Sequence, residues 1–151
     1  MNLFEYAPNP IVWIDFLGLT PSKKSSRSDD PARQKCGTGK WIRHPEKIEH
    51  ATSYNEARRR AIKEARLEGV PTKPFISYMG PDKGKVLGSQ SLDGYNHWRI
   101  DYDPKSSKQF HVNWRRIYRD KKGNCVQETG AYLLPGGQDS YWYQRERMPK
   151  L

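Results

Sequence analysis

The chain has 151 residues, of which 34% are hydrophobic, with 5 Trp, 9 Tyr and 4 Phe. That is room for one ordinary domain with a short extension, and its core must lean on aromatic rings. Mean hydropathy is −1.01, and no apolar run approaches the ~18 residues of a membrane span, which speaks against an integral membrane protein. Lys plus Arg number 27 against 17 Asp plus Glu, a net charge of +10. The pI is near 9.7. Such a balance points to a polyanionic partner, nucleic acid first and an acidic protein second, and says nothing about fold.

Residues 1–19 stand apart from the remainder of the chain. They hold no Lys or Arg, and their only charges are Glu5 and Asp15. Without a basic n-region, and with those carboxylates interrupting the apolar stretch, they do not read as a signal peptide. Residues 20–40, TPSKKSSRSDDPARQKCGTGK, have no hydrophobic period and read as a flexible linker. A basic domain is expected over 41–151. Cys36 and Cys125 are too few for a disulfide scaffold and lack C-x-x-C spacing, so two unpaired thiols are expected, with a single bridge as the alternative.

In the basic domain, Ser53 and Glu56 form an S-x-x-E capping box. A helix is expected from Tyr54 to Glu68, ended by Gly69 and Pro71. Ala57, Ala61, Ile62 and Ala65 give it a thin apolar stripe, and Arg58, Arg59, Arg60, Lys63 and Arg66 cover much of the rest. That basic face reads equally as solvated surface or as a track for phosphates. Five β-like runs come next, at 75–80, 85–89, 95–102, 109–118 and 125–134, separated by Gly, Pro, Asn and Asp. The tail DSYWYQRERMPKL reads as a last edge strand or a segment packed back on the sheet. The expected class is α+β, with one or two N-terminal helices on a small twisted antiparallel sheet.

The runs at 95–102 and 109–118 carry the candidate chemistry. Trp98, Ile100 and Tyr102 alternate with His97, Arg99 and Asp101, while Phe110, Val112 and Trp114 alternate with His111, Asn113 and Arg115. Pairing the apolar faces sets Tyr102 opposite Phe110, Ile100 opposite Val112 and Trp98 opposite Trp114. Asp101 then faces His111, Arg99 faces Asn113 and His97 faces Arg115, all on one side of the sheet. RNA cleavage by 2′-OH attack needs a base, an acid and a fixed cation at the phosphate. Histidine suits the first two roles and arginine the third. His97 and His111 are the expected acid/base pair, in either order, with Arg99 and Arg115 on the phosphate and Asp101 orienting His111. Asn113 is expected to position the substrate, Arg58 and Arg59 to add backbone affinity, and Tyr95 and Tyr118 to stack bases.

The same alternation also describes any solvated antiparallel face with cross-strand pairs. His44, His50, Glu49 and Glu56 compete for the second proton-transfer role. No H-E-x-x-H, zinc-deaminase, P-loop or G-x-S-x-G signature occurs, and no cofactor is expected. The runner-up is a metal-dependent DNase with one divalent ion among Asp101, His111, His97 and Asn113. Weaker readings are an ADP-ribosyltransferase using Arg99, Ser106 or Ser107 and Glu128, and a module that only grips nucleic acid.

The leader adds a resemblance. Tyr6, Pro8, Asn9, Pro10, Asp15, Gly18 and Leu19 make NLFEYAPNPIVWIDFLGLT resemble the end of the core of Rhs-repeat proteins, although Phe16 stands where that family usually has Pro. The resemblance implies a self-cleavage junction between Leu19 and Thr20, worked by machinery in the large repeat shell. It implies that 41–151 is a polymorphic toxin domain, held in the Rhs shell before delivery and secreted into the cytoplasm of a target cell. A cognate immunity protein, expected to be acidic, would neutralise it at home. With that context the leading expectation is a metal-independent endoribonuclease of ribonuclease-toxin-like fold.

Overall fold

A computed structural model describes residues 40–151, which fall in the compact unit Thr38–Leu151. The leader, most of the linker and the Leu19/Thr20 junction lie outside the described residues. The elements are β1 (Trp41–Arg43), β2 (Lys47–His50), α1 (Tyr54–Glu64), β3 (Thr72–Ile76), β4 (Val86–Ser91), β5 (His97–Asp103), β6 (Gln109–Arg119), β7 (Cys125–Leu133) and α2 (Gln138–Glu146). The α+β class holds, with a seven-stranded sheet ordered β1-β7-β6-β5-β4-β3.

Three features correct the sequence reading. The sheet is mixed, because β1 and β2 run parallel to successive stretches of β7, from Trp41↔Cys125 to His50↔Leu133. The helices are not N-terminal to the sheet: two strands precede α1, and α2 closes the chain. The tail is that second helix, not a strand. Tyr141 is its buried residue and packs on Tyr102 and Phe110 at ring-centroid distances of 5.8 Å.

Helix α1 begins as expected, with Ser53 Oγ accepting from the Glu56 amide at 3.2 Å. Glu56 reaches back one residue further than a capping box requires, accepting from the Thr52 amide and hydroxyl at 2.8 and 2.9 Å. Its end comes earlier than Gly69 suggested. Arg66 takes a left-handed φ of 59°; its amide donates to Lys63 O, and the Leu67 amide donates to Ile62 O, both at 3.0 Å. This Schellman closure turns buried Leu67 into the core.

The core lies between the helices and one face of the sheet. Fully buried Ala57, Ala61 and Ala65 present a flat surface to Trp98, Trp114 and Tyr132. Trp114 itself lies across Gly130, where any Cβ would overlap the indole, so only glycine fits opposite it. Cys125 is fully buried and disulfide-bonded. This corrects the expectation of two unpaired thiols, and its partner lies outside the described residues.

Candidate active site

The β5–β6 hairpin has the register that apolar pairing demands: Trp98↔Trp114, Ile100↔Val112 and Tyr102↔Phe110. The polar pairs are then Asp101↔His111, Arg99↔Asn113 and His97↔Arg115. Ile100 and Val112 are wholly buried, and a one-residue slip would carry them to the other face. The intervening turn is held by Asp103, whose carboxylate accepts from the Lys105 amide at 2.9 Å, and by Ser106, whose hydroxyl accepts from the Lys108 amide at 3.0 Å.

Asp101 is the hub of the polar face. Its Oδ1 accepts from the Tyr102 amide at 2.9 Å. Its Oδ2 accepts from Asn113 Nδ2 at 3.2 Å, lies 3.6 Å from Arg99 Nη2 and stands 4.0 Å from His111 Nε2. His111 is only 2% exposed, and its Nδ1 lies 2.6 Å from the Gln109 carbonyl. A carbonyl only accepts, so Nδ1 carries the proton and Nε2 turns its lone pair toward the Asp101 side. Burial lowers the pKa of His111, with Lys108 and Arg99 acting the same way; the Gln109 bond and the Asp101 charge oppose them. The ring is therefore a neutral imidazole near pH 7, held as a proton acceptor.

His97 is also buried, at 7% exposure. Its Nε2 lies 2.9 Å from Arg99 Nη1. Guanidinium only donates, so Nε2 accepts and Nδ1 keeps the proton, buried without a partner. Burial first, then the charges of Arg115 and Arg99, hold its pKa well below the ordinary histidine value. Phe75 of β3 packs on its ring at a centroid distance of 4.9 Å. The two histidines do not face each other across the hairpin. Their pairs are four residues apart in the register, about 13 Å at the ~3.4 Å rise of an antiparallel strand.

The other expected site residues divide between the faces. Arg115 lies on the polar face, with Nε and Nη2 donating to the carbonyls of Tyr95 and Gly94 at 3.1 Å each. Tyr95 sits with it at the β4–β5 turn, beyond the His97 row. Arg58 and Arg59 belong to α1, on the opposite side of the sheet, where Arg58 lies over the Trp98 ring. Tyr118 is also there, with Arg66 over its ring and its hydroxyl donating to Glu128 at 3.0 Å. These three do not join the His111 cluster. Glu128, 8% exposed, is ion-paired with Arg116 of the same face. It is thereby separated by the sheet from Arg99, so the template of Arg99, a serine and Glu128 does not assemble. Among the described residues, no group of three or more His, Cys, Asp or Glu side chains is placed to hold a metal ion.

Gln109 carries no signal in the sequence. It contributes through its backbone carbonyl, and its left-handed φ of 49° leaves no residue-type pattern to read. Next to it lies a cavity of about 600 Å³, whose lining includes His50, Thr52, Ser107, Lys108, Gln109 and Leu133. No family model and no curated protein matches the chain.

Proposed function

We propose that this chain carries the toxin domain of an Rhs-type polymorphic toxin and that its basic α+β domain cleaves RNA without a metal ion. The observation that carries the reading is the His111–Asp101–Asn113–Arg99 cluster. It combines a buried imidazole of fixed tautomer, whose Nε2 faces a carboxylate 4.0 Å away, with a guanidinium 3.6 Å from that carboxylate. His111 Nε2 takes the 2′-OH proton, and Asp101 stabilises the imidazolium that forms. Arg99 stabilises charge on the phosphorane, and the products are a 2′,3′-cyclic phosphate and a 5′-hydroxyl. His97 is a positioning residue, because its Nε2 anchors Arg99. Arg115 braces the β4–β5 turn.

The net charge of +10 supports a polyanionic substrate and an acidic immunity protein drawn by the same field. The fold reading that accompanies this proposal is a ribonuclease-toxin-like domain acting in the cytoplasm of a target cell. The test incubates the purified chain with total RNA and plasmid DNA, with and without EDTA. RNA cut in EDTA to cyclic-phosphate ends, and lost in His111→Ala and Asp101→Asn with folding intact, is the expected result. DNA cut only with added metal, or full activity in both variants, would overturn the assignment.

A further inference from the structure

Helix α1 carries charge that the candidate site leaves unused. Between Tyr54 and Arg66 stand Arg58, Arg59, Arg60, Lys63 and Arg66, against Glu56 and Glu64. Both carboxylates and one of the cations are engaged. Arg60 Nη2 donates to Glu49 at 2.6 Å, and Glu64 accepts from Arg116 of β6 at 2.9 Å. Glu56 accepts from the Thr52 amide and hydroxyl and lies 3.9 Å from Arg60. The other four cations are solvent-exposed. Arg58 and Arg66 lie over aromatic rings, Trp98 at 5.3 Å and Tyr118 at 4.5 Å. No carboxylate among the described residues forms an ion pair with Arg59 or Lys63.

These four cations share one side of the helix. At about 100° per residue they fall within an arc of about 140°, and at ~1.5 Å per residue they span about 12 Å. The arc points away from Ala57, Ala61 and Ala65, which are wholly buried in the core. Such crowding is unfavourable in the free domain, since Arg59 and Lys63 form a like-charge i,i+4 pair. The helix dipole offsets cations only in the last turn, which covers Lys63 and Arg66 but not Arg58 and Arg59. A polyanion relieves the whole set. A nucleic-acid strand carries one charge per ~3.4 Å of axis, which is about four phosphates over the same length. Stacking on a ring also limits the freedom that Arg58 and Arg66 lose on meeting a phosphate.

We infer that the outward face of α1, through Arg58, Arg59, Lys63 and Arg66, binds the phosphate backbone of RNA away from the bond that is cut. The inference rests on the proposed function for RNA as the ligand, and it concerns binding alone. Helix α1 packs on the face of the sheet that holds Trp98 and Trp114, and the His111 cluster lies on the other face. A phosphate on α1 is therefore not the one at Arg99. The helix instead holds a second stretch of a long strand, with an affinity indifferent to base sequence.

The probe is a long 2′-O-methyl RNA, which cannot be cut through its 2′-oxygen. Its binding to the full chain would be titrated from about 50 to 200 mM salt. The proteins are the wild type, Arg59→Gln/Lys63→Gln and Lys121→Gln/Lys122→Gln, with folding checked by circular dichroism. The last pair removes the same charge from the exposed β6–β7 turn. Arg59→Gln/Lys63→Gln should bind about 25-fold more weakly near 100 mM salt, with a slope of log K against log salt shallower by about 1.4. The turn variant should change little. Unchanged affinity and slope in the folded α1 variant, or an equal loss in the turn variant, would overturn the assignment. So would lost binding to poly-L-glutamate with RNA binding intact, which would give the face to an acidic protein. A chain that binds RNA through α1 but never cuts unmodified RNA would overturn the ribonuclease reading and leave this inference standing.

Discussion

Mild acid should weaken this domain through its buried imidazoles, and the size of the effect can be worked from the structure. His97 is neutral when folded, because burial and the charges of Arg115 and Arg99 depress its pKa well below 6.5. Unfolding returns it to water and to its ordinary value. Between the folded and unfolded pKa values the unfolded chain holds the extra proton, so stability is complete above about pH 6.5 and falls as pH drops toward the folded pKa. From pH 7.5 to 5.5 one such histidine costs about 1.4 kcal/mol, and His111, lowered for the same first reason, adds up to about as much again. Glu128, Glu56 and Asp120 also have lowered values. Their contribution is present above the ordinary carboxylate range and is lost below it, outside this window.

The assay is urea denaturation monitored by tryptophan fluorescence at pH 7.5, 6.5 and 5.5, at constant ionic strength. The comparison is His97→Gln, which keeps an acceptor for Arg99 and cannot take up a proton. The variant should lose about 1.4 kcal/mol less than the wild type across the range. Parallel losses in the two proteins would show that His97 is not the buried neutral group described.

Three further outcomes are expected. Glu128→Gln should lower stability by about 1 kcal/mol in denaturant titration, because it removes one of the two carboxylates paired with the Arg116 guanidinium, Glu64 remaining at 2.9 Å. RNA cleavage by the same variant should persist, since Glu128 lies on the face away from His111. Gly130→Ala should cost about 2 kcal/mol by overpacking against Trp114, read as a lower unfolding midpoint. Tyr141→Phe should cost about 1 kcal/mol by removing the hydroxyl that donates to Asp82 Oδ2 at 2.5 Å, measured the same way.

The candidate site was legible in the sequence to the extent that it is a property of one hairpin. Period-two alternation over 97–102 and 110–115, joined by a short polar turn, leaves a single register that buries both apolar sets, and that register sets the polar pairs. The start of α1 was legible for a similar reason, since a cap needs only neighbours along the chain. Which of the gathered residues work together was not legible. The sheet separates Arg58, Arg59 and Tyr118 from His111, and no local pattern records which face a helix covers.

What escaped the sequence depends on partners distant along the chain. The segments WIR and KIEH are too short and polar to announce themselves; they are strands because β7 offers them an edge. The YWYQRER segment carries aromatic residues that suit a strand, yet its Tyr141 finds Tyr102 and Phe110 only from a helix. The end of α1 was decided by Leu67 entering the core, not by Gly69. The sequence by itself determined the composition of the polar face and its pairing, because alternation and apolar burial act within one hairpin. Only the tertiary structure decided that two of its histidines are buried and neutral, because burial depends on strands far apart in the chain.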